Sequence, residues 1–219
     1  MKLHFLFIIS LIAFISCKEG AKTNTATSTP TDNSVQGSGD MKDYEIADIP
    51  GSNYKRATKK DENGHTIEEG FFLDGKKTGT WFNYYPDGRV VAVRSFIDGK
   101  VDGTFITIDD RGRILLQSLY RDNFLNGMVT EYKNGSRRMK ETFYKDGKKN
   151  GVQREYFELG PPRKEVDYKD DVVDGKVKFF NDKSVLIAEY EYKNGQKVGG
   201  GVVSGADSTG LNIALPEGK

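Results

Sequence analysis

The sequence predicts an all-β protein, built as an elongated antiparallel array of β-hairpins with a 24-residue repeat. Three observations predict this fold. Gly accounts for 25 of the 219 residues, well above the roughly 7% of an average chain. Glycines and aromatic residues both recur at intervals of 24 residues. Asp-Gly and Asn-Gly dipeptides separate the short aromatic-bearing runs, and such dipeptides are strong short-range hairpin signals.

The first element is a targeting segment at residues 1–16. A basic start at Met1-Lys2 precedes an almost wholly apolar run from Leu3 to Ile15, which is shorter than the about 20 residues of a membrane-spanning helix. Cys17, the only Cys of the chain, follows Ser16 directly. This pattern resembles a lipoprotein signal peptide, which implies a lipid such as palmitate on Cys17. The alternative is an ordinary secretory signal with an incidental Cys or a buried thiol.

The second element, residues 17–50, is rich in Thr, Ser, Asn, Gly and Asp. Such a composition cannot bury enough apolar surface to order the chain, so we expect a flexible tether. Lys18-Glu19 resembles the short signals that send some Bacteroidota lipoproteins to the cell surface. We therefore expect a lipid-anchored protein of the bacterial envelope, on the outer membrane and facing either the periplasm or the exterior.

Net charge argues against nucleic-acid binding. Removal of residues 1–16 takes away one Lys and no acidic residue, which leaves 32 basic and 32 acidic residues in the mature chain. Nucleic-acid binders normally carry an excess of basic residues. We therefore expect the membrane, through the lipid on Cys17, and a protein of unknown identity as partners.

The third element, residues 51–205, is the repeat region. Its period is visible in three glycine-rich series and two aromatic-rich series, which interlock. The glycine-rich series are Gly79, Gly103, Gly127, Gly151, Gly175, Gly199; Gly75, Gly99, Asn123, Gly147, Asp171, Gly195; and Gly64, Gly88, Gly112, Gly135, Gly160, Lys183. The aromatic-rich series are Phe72, Phe96, Tyr120, Tyr144, Tyr168, Tyr192, and Tyr84, Ile108, Tyr132, Tyr156, Phe180.

Each repeat contains two strands and two turns. In one unit a strand from Thr80 to Tyr85 precedes a turn at residues 86–89, and a strand from Val90 to Ile97 precedes a turn at residues 98–100. We expect most glycines to occupy turns, where positive φ is needed. Residues one repeat apart should lie two strands, or roughly 9.6 Å, apart. Side chains of the intervening strand should fill the gaps between rings of one series.

These units resemble the bacterial variant of the MORN repeat, found in proteins known as YwqK-family antitoxins. The resemblance covers about residues 64–199 and is clearest in residues 74–89, 126–135 and 146–156. It implies a MORN-like repeat solenoid of antiparallel hairpins. Residues 158–162 and 170–173 depart from the pattern, which indicates irregular later repeats. The final element, residues 206–219, is expected to be a C-terminal cap or tail that adds a closing strand or covers the open sheet edge.

No residue pattern indicates catalysis, a metal or a cofactor. His65 follows Gly64 in a turn position, and a solvated turn residue is the simpler interpretation. Acidic residues occur as adjacent pairs, whose side chains point to opposite faces of a strand. The turns match no calcium-binding spacing, and the glycines form no phosphate-binding loop. We therefore expect no enzyme activity.

The expected function is that of a non-catalytic, membrane-anchored repeat scaffold that binds a protein or another envelope component. Aromatic side chains are the candidate binding residues because they offer flat apolar area, in Tyr with a polar tip. The alternative is that they are simply the buried face of the repeat. A second function class is an antitoxin or immunity-type neutraliser of a toxin partner. The candidates are Trp81, Tyr84, Tyr120, Tyr132, Tyr144, Tyr156, Tyr168 and Tyr192.

Overall fold

The described part of the chain folds as one open antiparallel β-sheet, which confirms the predicted fold class. The structure is a computed structural model and describes residues 40–133, 137–158, 160–203 and 215–216. Within these residues a short 3₁₀ helix at Met41–Asp43 precedes fifteen strands. The strands are β1 (Glu45–Asp48), β2 (Tyr54–Lys60), β3 (Thr66–Leu73), β4 (Lys76–Tyr84), β5 (Val90–Ile97), β6 (Lys100–Ile108), β7 (Ile114–Arg121), β8 (Phe124–Leu125), β9 (Gly127–Lys133), β10 (Arg137–Lys145), β11 (Lys148–Tyr156), β12 (Pro162–Lys169), β13 (Val172–Phe180), β14 (Leu186–Lys193) and β15 (Gln196–Val202).

Strands follow one another in the sheet in chain order, apart from the short β8, which pairs with β7 beside β9. This order is that of hairpins in series. Along one edge, here called the tight-turn edge, two-residue turns join the strands. The first turn residue has φ of 49 to 51° and the second has φ of 69 to 81°, as type I′ turns require. These turns are Asp74-Gly75, Asp98-Gly99, Asp122-Asn123, Asp146-Gly147, Asp170-Asp171 and Asn194-Gly195.

Longer turns join the strands along the other edge, here called the loop edge. A backbone hydrogen bond closes each of these turns outside residues 134–136, for example from the Tyr85 N–H to the Arg89 carbonyl at 2.8 Å. In the turns that begin at Asp61 and Asp109, the side chain of this first residue also fixes the turn. Asp61 Oδ1 accepts from the N–H groups of Asn63 and His65, and Asp109 Oδ1 accepts from those of Arg111 and Arg113. His65 is therefore a turn residue, as expected.

The Gly79 series does not lie in turns, which corrects the sequence-based assignment. These glycines lie within strands or at a strand start, and five of the six have positive φ. In β4 the register shifts around Gly79. On one side of the shift Phe71 pairs with Thr78, and on the other side Glu69 pairs with Phe82. The glycines therefore form β-bulges, which need the backbone freedom of Gly and increase the local twist. In the last unit the positive φ occurs at Gly200 in place of Gly199.

Successive repeats also contact each other through the backbone at the tight-turn edge. The N–H of the second turn residue donates to a carbonyl of the preceding repeat at 2.8 to 3.0 Å. These hydrogen bonds join residues 22 apart in the sequence, so the spacing of roughly 9.6 Å between residues one full repeat apart stays a prediction. The donors are Gly99, Asn123, Gly147, Asp171 and Gly195, and the acceptors are Lys77, Val101, Leu125, Lys149 and Val173.

One face of the sheet, here called the core face, carries two buried clusters. The N-terminal cluster runs from Ala57 to Val129, and the C-terminal cluster runs from Val166 to Tyr192. Between them the buried positions are polar, with Thr142 hydrogen-bonded to Gln153 at 3.4 Å. Beside this pair, cross-strand neighbours alternate in charge in the order Glu131, Lys140, Glu155, Lys164.

The sheet begins earlier than the sequence suggested. Residues 40–50 were assigned to the tether, yet β1 pairs with β2, and Tyr44 packs with ring centroids 5.5 Å from Phe72 and 5.4 Å from Trp81. Strand pairing by β1 and the packing of Tyr44 and Met41 against the N-terminal cluster therefore attach this polar segment to the sheet. Cys17 and the rest of residues 1–39 lie outside the described residues, as does most of the predicted cap at 206–219.

Candidate functional site

The first aromatic series lies on the core face, together with Trp81 of the intervening strand β4. Trp81 has no exposed surface, and Tyr120 and Tyr192 are 3% and 4% exposed. Tyr144 and Tyr168 are partly buried and pack against the N-terminal and C-terminal clusters, respectively. These five side chains offer little or no surface to a ligand, and their packing holds the repeats together.

Trp81 illustrates how an intervening strand fills the gap within a series. Its ring makes edge contacts with Phe72 at 5.2 Å and Phe96 at 6.0 Å, which confirms the expected filling for this repeat. The indole N–H lies 3.2 Å from the carbonyl oxygens of Phe71 and Thr78. Trp81 therefore has its apolar area buried and its polar atom satisfied.

A buried charge pair lies beside Trp81. The Lys77 ammonium is 2.8 Å from Glu68 and 4.0 Å from the centroid of the Trp81 ring. Burial lowers the pKa of Lys77, and the hydrogen bond to Glu68 offsets only part of this effect. Tyr44 also donates to Glu68, at 2.7 Å. Because every polar group of this cluster is bonded within it, its evident role is to join the N-terminal segment to the sheet.

Adjacent carboxylates do not converge on a common site. Glu68 contacts Lys77 and Tyr44, whereas Glu69 contacts Arg56 and Tyr84. The two side chains therefore lie on opposite faces of β3, as strand geometry predicts. Among the described residues no group of three or more His, Cys, Asp and Glu side chains is arranged to hold a metal ion. In the same residues no helix is long and apolar enough to cross a membrane.

The second aromatic series is partly exposed and lies close to the loop edge. The Tyr84 hydroxyl donates to Glu69 at 2.5 Å, and the Tyr156 hydroxyl donates to Glu141. Partial burial, followed by the hydrogen bond to the carboxylate, raises the pKa of each tyrosine to about 12. Tyr132 is also partly exposed, and pairs across the strands with Arg138.

Two clefts open at the loop edge, three repeats apart. The first has a volume of about 430 Å³ and includes His65, Thr66 and Tyr84. The second has a volume of about 440 Å³ and includes Arg137, Arg138 and Tyr156, which occupy the corresponding repeat positions. The same backbone arrangement thus presents different chemistry in the two places. Volumes of this size suit small ligands or short segments of a larger one.

A further set of exposed positions lies on the opposite face of the sheet, here called the outer face. Phe71, Leu119 and Phe143 each precede a core-face residue, and they are 39%, 40% and 42% exposed. Leu119 lies over the bulge glycine Gly127, and Phe143 lies over Gly151. These bulge glycines therefore leave space for Leu119 and Phe143. The whole series reads Phe71, Ser95, Leu119, Phe143, Asp167 and Glu191.

Sequence reasoning did not select this outer-face series. Its members also recur every 24 residues, but they differ in chemistry from one repeat to the next. A search for residue types that recur every 24 residues does not detect equivalent repeat positions whose residue type changes from one repeat to the next. These positions could have been found from the Phe72 series. Each one directly precedes a residue of that series, and neighbouring residues of a strand point to opposite faces.

The chain matches no protein-family model, and no curated protein is similar to it in sequence.

Proposed function

We propose that the protein is a non-catalytic repeat scaffold that binds a protein or another envelope component through the outer face of its sheet. The observation that carries this proposal is the outer-face series. Its positions occupy the same place in each repeat, and the scaffold accepts Phe, Ser, Leu, Asp and Glu there. Side-chain identity at these positions is therefore free to serve recognition.

Apolar side chains in this series favour a binding role over a purely structural one. Phe143 pairs across the strands with Met128, and Leu119 lies over the neighbouring Gly127. The three side chains lie on the neighbouring strands β7, β9 and β10. Their exposed area gains nothing on folding, whereas its burial against a partner would gain about 25 cal/mol per Å².

Capture from an envelope fraction tests this function. Wild type should retain a partner that the variant Leu119→Ser/Phe143→Ser loses, because Ser95 shows that the fold accepts Ser at this place. The control Val185→Ser/Val198→Ser removes apolar side chains that are 53% and 62% exposed elsewhere and should retain the partner. Equal capture by all three proteins would refute a role for the outer face.

Lipid anchoring on Cys17 is the second part of the proposal, because it places the scaffold at the membrane. It rests on the sequence pattern of residues 1–17. A palmitate analogue should label the wild type and leave Cys17→Ala unlabelled. Equal labelling of both proteins would contradict the anchor without affecting the argument for the outer face.

A further inference from the structure

The larger loop-edge cleft, here called the basic cleft, lies among the strand ends of β9, β10, β11 and β12. Five cationic side chains line it: Lys133, Arg137, Arg138, Lys140 and Arg163. Three carboxylates line it as well, those of Glu131, Glu155 and Glu158. The cleft thus has two more positive than negative side chains, and one more when Glu141, the partner of Arg138, is included.

The excess charge is concentrated at one place. Arg137 and Lys133 are direct cross-strand neighbours on β10 and β9. Like charges in this arrangement destabilise a sheet, and an anion bound between them would remove that cost. The nearest carboxylate to Arg137 belongs to Glu158 at 3.7 Å, with the two side chains 54% and 72% exposed. Such exposed pairs are weak, so the Arg137 guanidinium is available to a ligand.

The fold itself does not require these cations. Three repeats earlier, His65 and Thr66 occupy the positions of Arg137 and Arg138, and the corresponding cleft includes Glu69 and Asp87. The backbone thus forms a similar cleft without a basic lining. The cations of the basic cleft are therefore better explained by what the cleft binds than by what the sheet needs.

The other lining side chains favour a peptide over a sugar. Met139 is 42% exposed and, with Phe157, supplies an apolar wall. Tyr156 is the ring that a sugar would stack on, but the Arg138 guanidinium already lies 5.0 Å from its centroid, and its hydroxyl donates to Glu141. Guanidinium groups bind carboxylates with two parallel hydrogen bonds. The cleft therefore suits carboxylate side chains next to an apolar one.

We propose that the basic cleft binds an acidic peptide segment of a partner protein. Arg137 and Lys133 receive its carboxylates, and Met139 and Phe157 contact an apolar side chain. This proposal rests on the proposed function as a binding scaffold, and it adds a second contact region with a defined chemistry.

Fluorescence anisotropy with a labelled hexapeptide of alternating Glu and Leu tests the proposal. Wild type should bind this peptide and should not bind the corresponding Lys and Leu peptide. The variant Lys133→Glu/Arg137→Glu should bind about tenfold more weakly or worse, because it replaces two charge-assisted contacts with repulsion. The control Arg121→Glu/Lys145→Glu makes the same charge change near the tight-turn edge and should bind within about twofold of wild type. Thermal unfolding of each variant verifies that it is folded.

Three results would overturn the proposal. Wild type could fail to distinguish the two peptides, or both variants could lose binding equally, which would indicate general attraction to net charge. Alternatively, an acidic sugar such as oligogalacturonate could bind in a cleft-dependent manner while the peptide does not. None of these results bears on capture through the outer face, so failure of the cleft and failure of the proposed function are distinguishable.

Discussion

Substitution of Gly70 by Ala tests whether the buried ring of Trp81 lies across Gly70 of the neighbouring strand. Gly70 lies in β3, opposite the bulge of β4. A Cβ atom at Gly70 would lie 2.2 Å from Cδ2 of Trp81, with Cε2 and Cγ at 2.4 and 2.5 Å. Ordinary van der Waals contact begins at 3.4 Å. The methyl group therefore needs a displacement of the rigid indole by more than an ångström.

The cost of this displacement has two parts. Overpacking of a well-packed core costs about 1–3 kcal/mol. Movement of the ring also separates the Trp81 N–H from the carbonyl oxygens of Phe71 and Thr78, both at 3.2 Å, and a buried donor without its acceptor costs about 1–3 kcal/mol. We expect Gly70→Ala to lower the free energy of unfolding by about 2–5 kcal/mol.

Urea unfolding followed by tryptophan fluorescence measures this effect at the site itself, because the chain has one Trp. The variant should unfold at a lower urea concentration, and its native emission should shift to longer wavelength as the indole moves towards water. Gly201→Ala is the matched control. It also lies in a strand, and a Cβ there would meet nothing within 4 Å, so its free energy of unfolding should change by less than about 0.5 kcal/mol.

Equal stability and equal emission of Gly70→Ala and wild type would refute the reasoning. That outcome would mean that Trp81 does not lie across Gly70. The pairing of β3 with β4, and the bulge that sets it, would then be wrong.

Three further predictions address the turns, the polar part of the core and the pH dependence. Gly99→Val should destabilise by about 1 kcal/mol or more in urea unfolding, because Gly99 has φ of 79° and a β-branched residue is strained there; unchanged stability would contradict the type I′ turn. Thr142→Val should cost about 1–3 kcal/mol by leaving Gln153 without its partner, and Thr142→Val/Gln153→Leu should recover part of the loss; an equal or greater loss in the double variant would contradict this. Tyr84 and Tyr156, whose pKa values rise from 10.0 to about 12, contribute stability that is present below pH 10 and is lost as the pH rises to about 12. Urea midpoints across this interval should fall less steeply in Tyr84→Phe/Tyr156→Phe, and identical slopes would contradict the contribution.

The hairpin array was predictable from the sequence because its signals are local. Asp74-Gly75 and its equivalents specify tight turns through backbone conformation alone. The spacing between successive turns then fixes the order of the strands in the sheet, since each turn reverses the direction of the chain. By contrast, the bulge at Gly79 depends on what lies across the strand pair, and a glycine in a bulge is not distinguishable from one in a turn by sequence spacing.

Buried and exposed aromatic residues were harder to distinguish from the sequence. Tyr120 and Tyr156 are both tyrosines in series of period 24, yet the first is buried and the second is partly exposed beside Glu141. Their difference arises from the side of the sheet on which each lies, and a bulge in every repeat changes the simple alternation of faces. The basic cleft was also missed, because Lys133 and Arg163 come to line the same cleft only through the pairing of four strands.

Hydroxyl-radical footprinting of the free protein tests the central claim most directly. The claim is that the buried rings hold the array together while recognition uses the outer face and the loop edge. Trp81, Tyr120 and Tyr192 should resist oxidation, whereas Met139, Phe143 and Tyr156 should react. Oxidation of Trp81 as fast as that of Tyr156 would contradict the account, because the core face would then be a surface available to ligands.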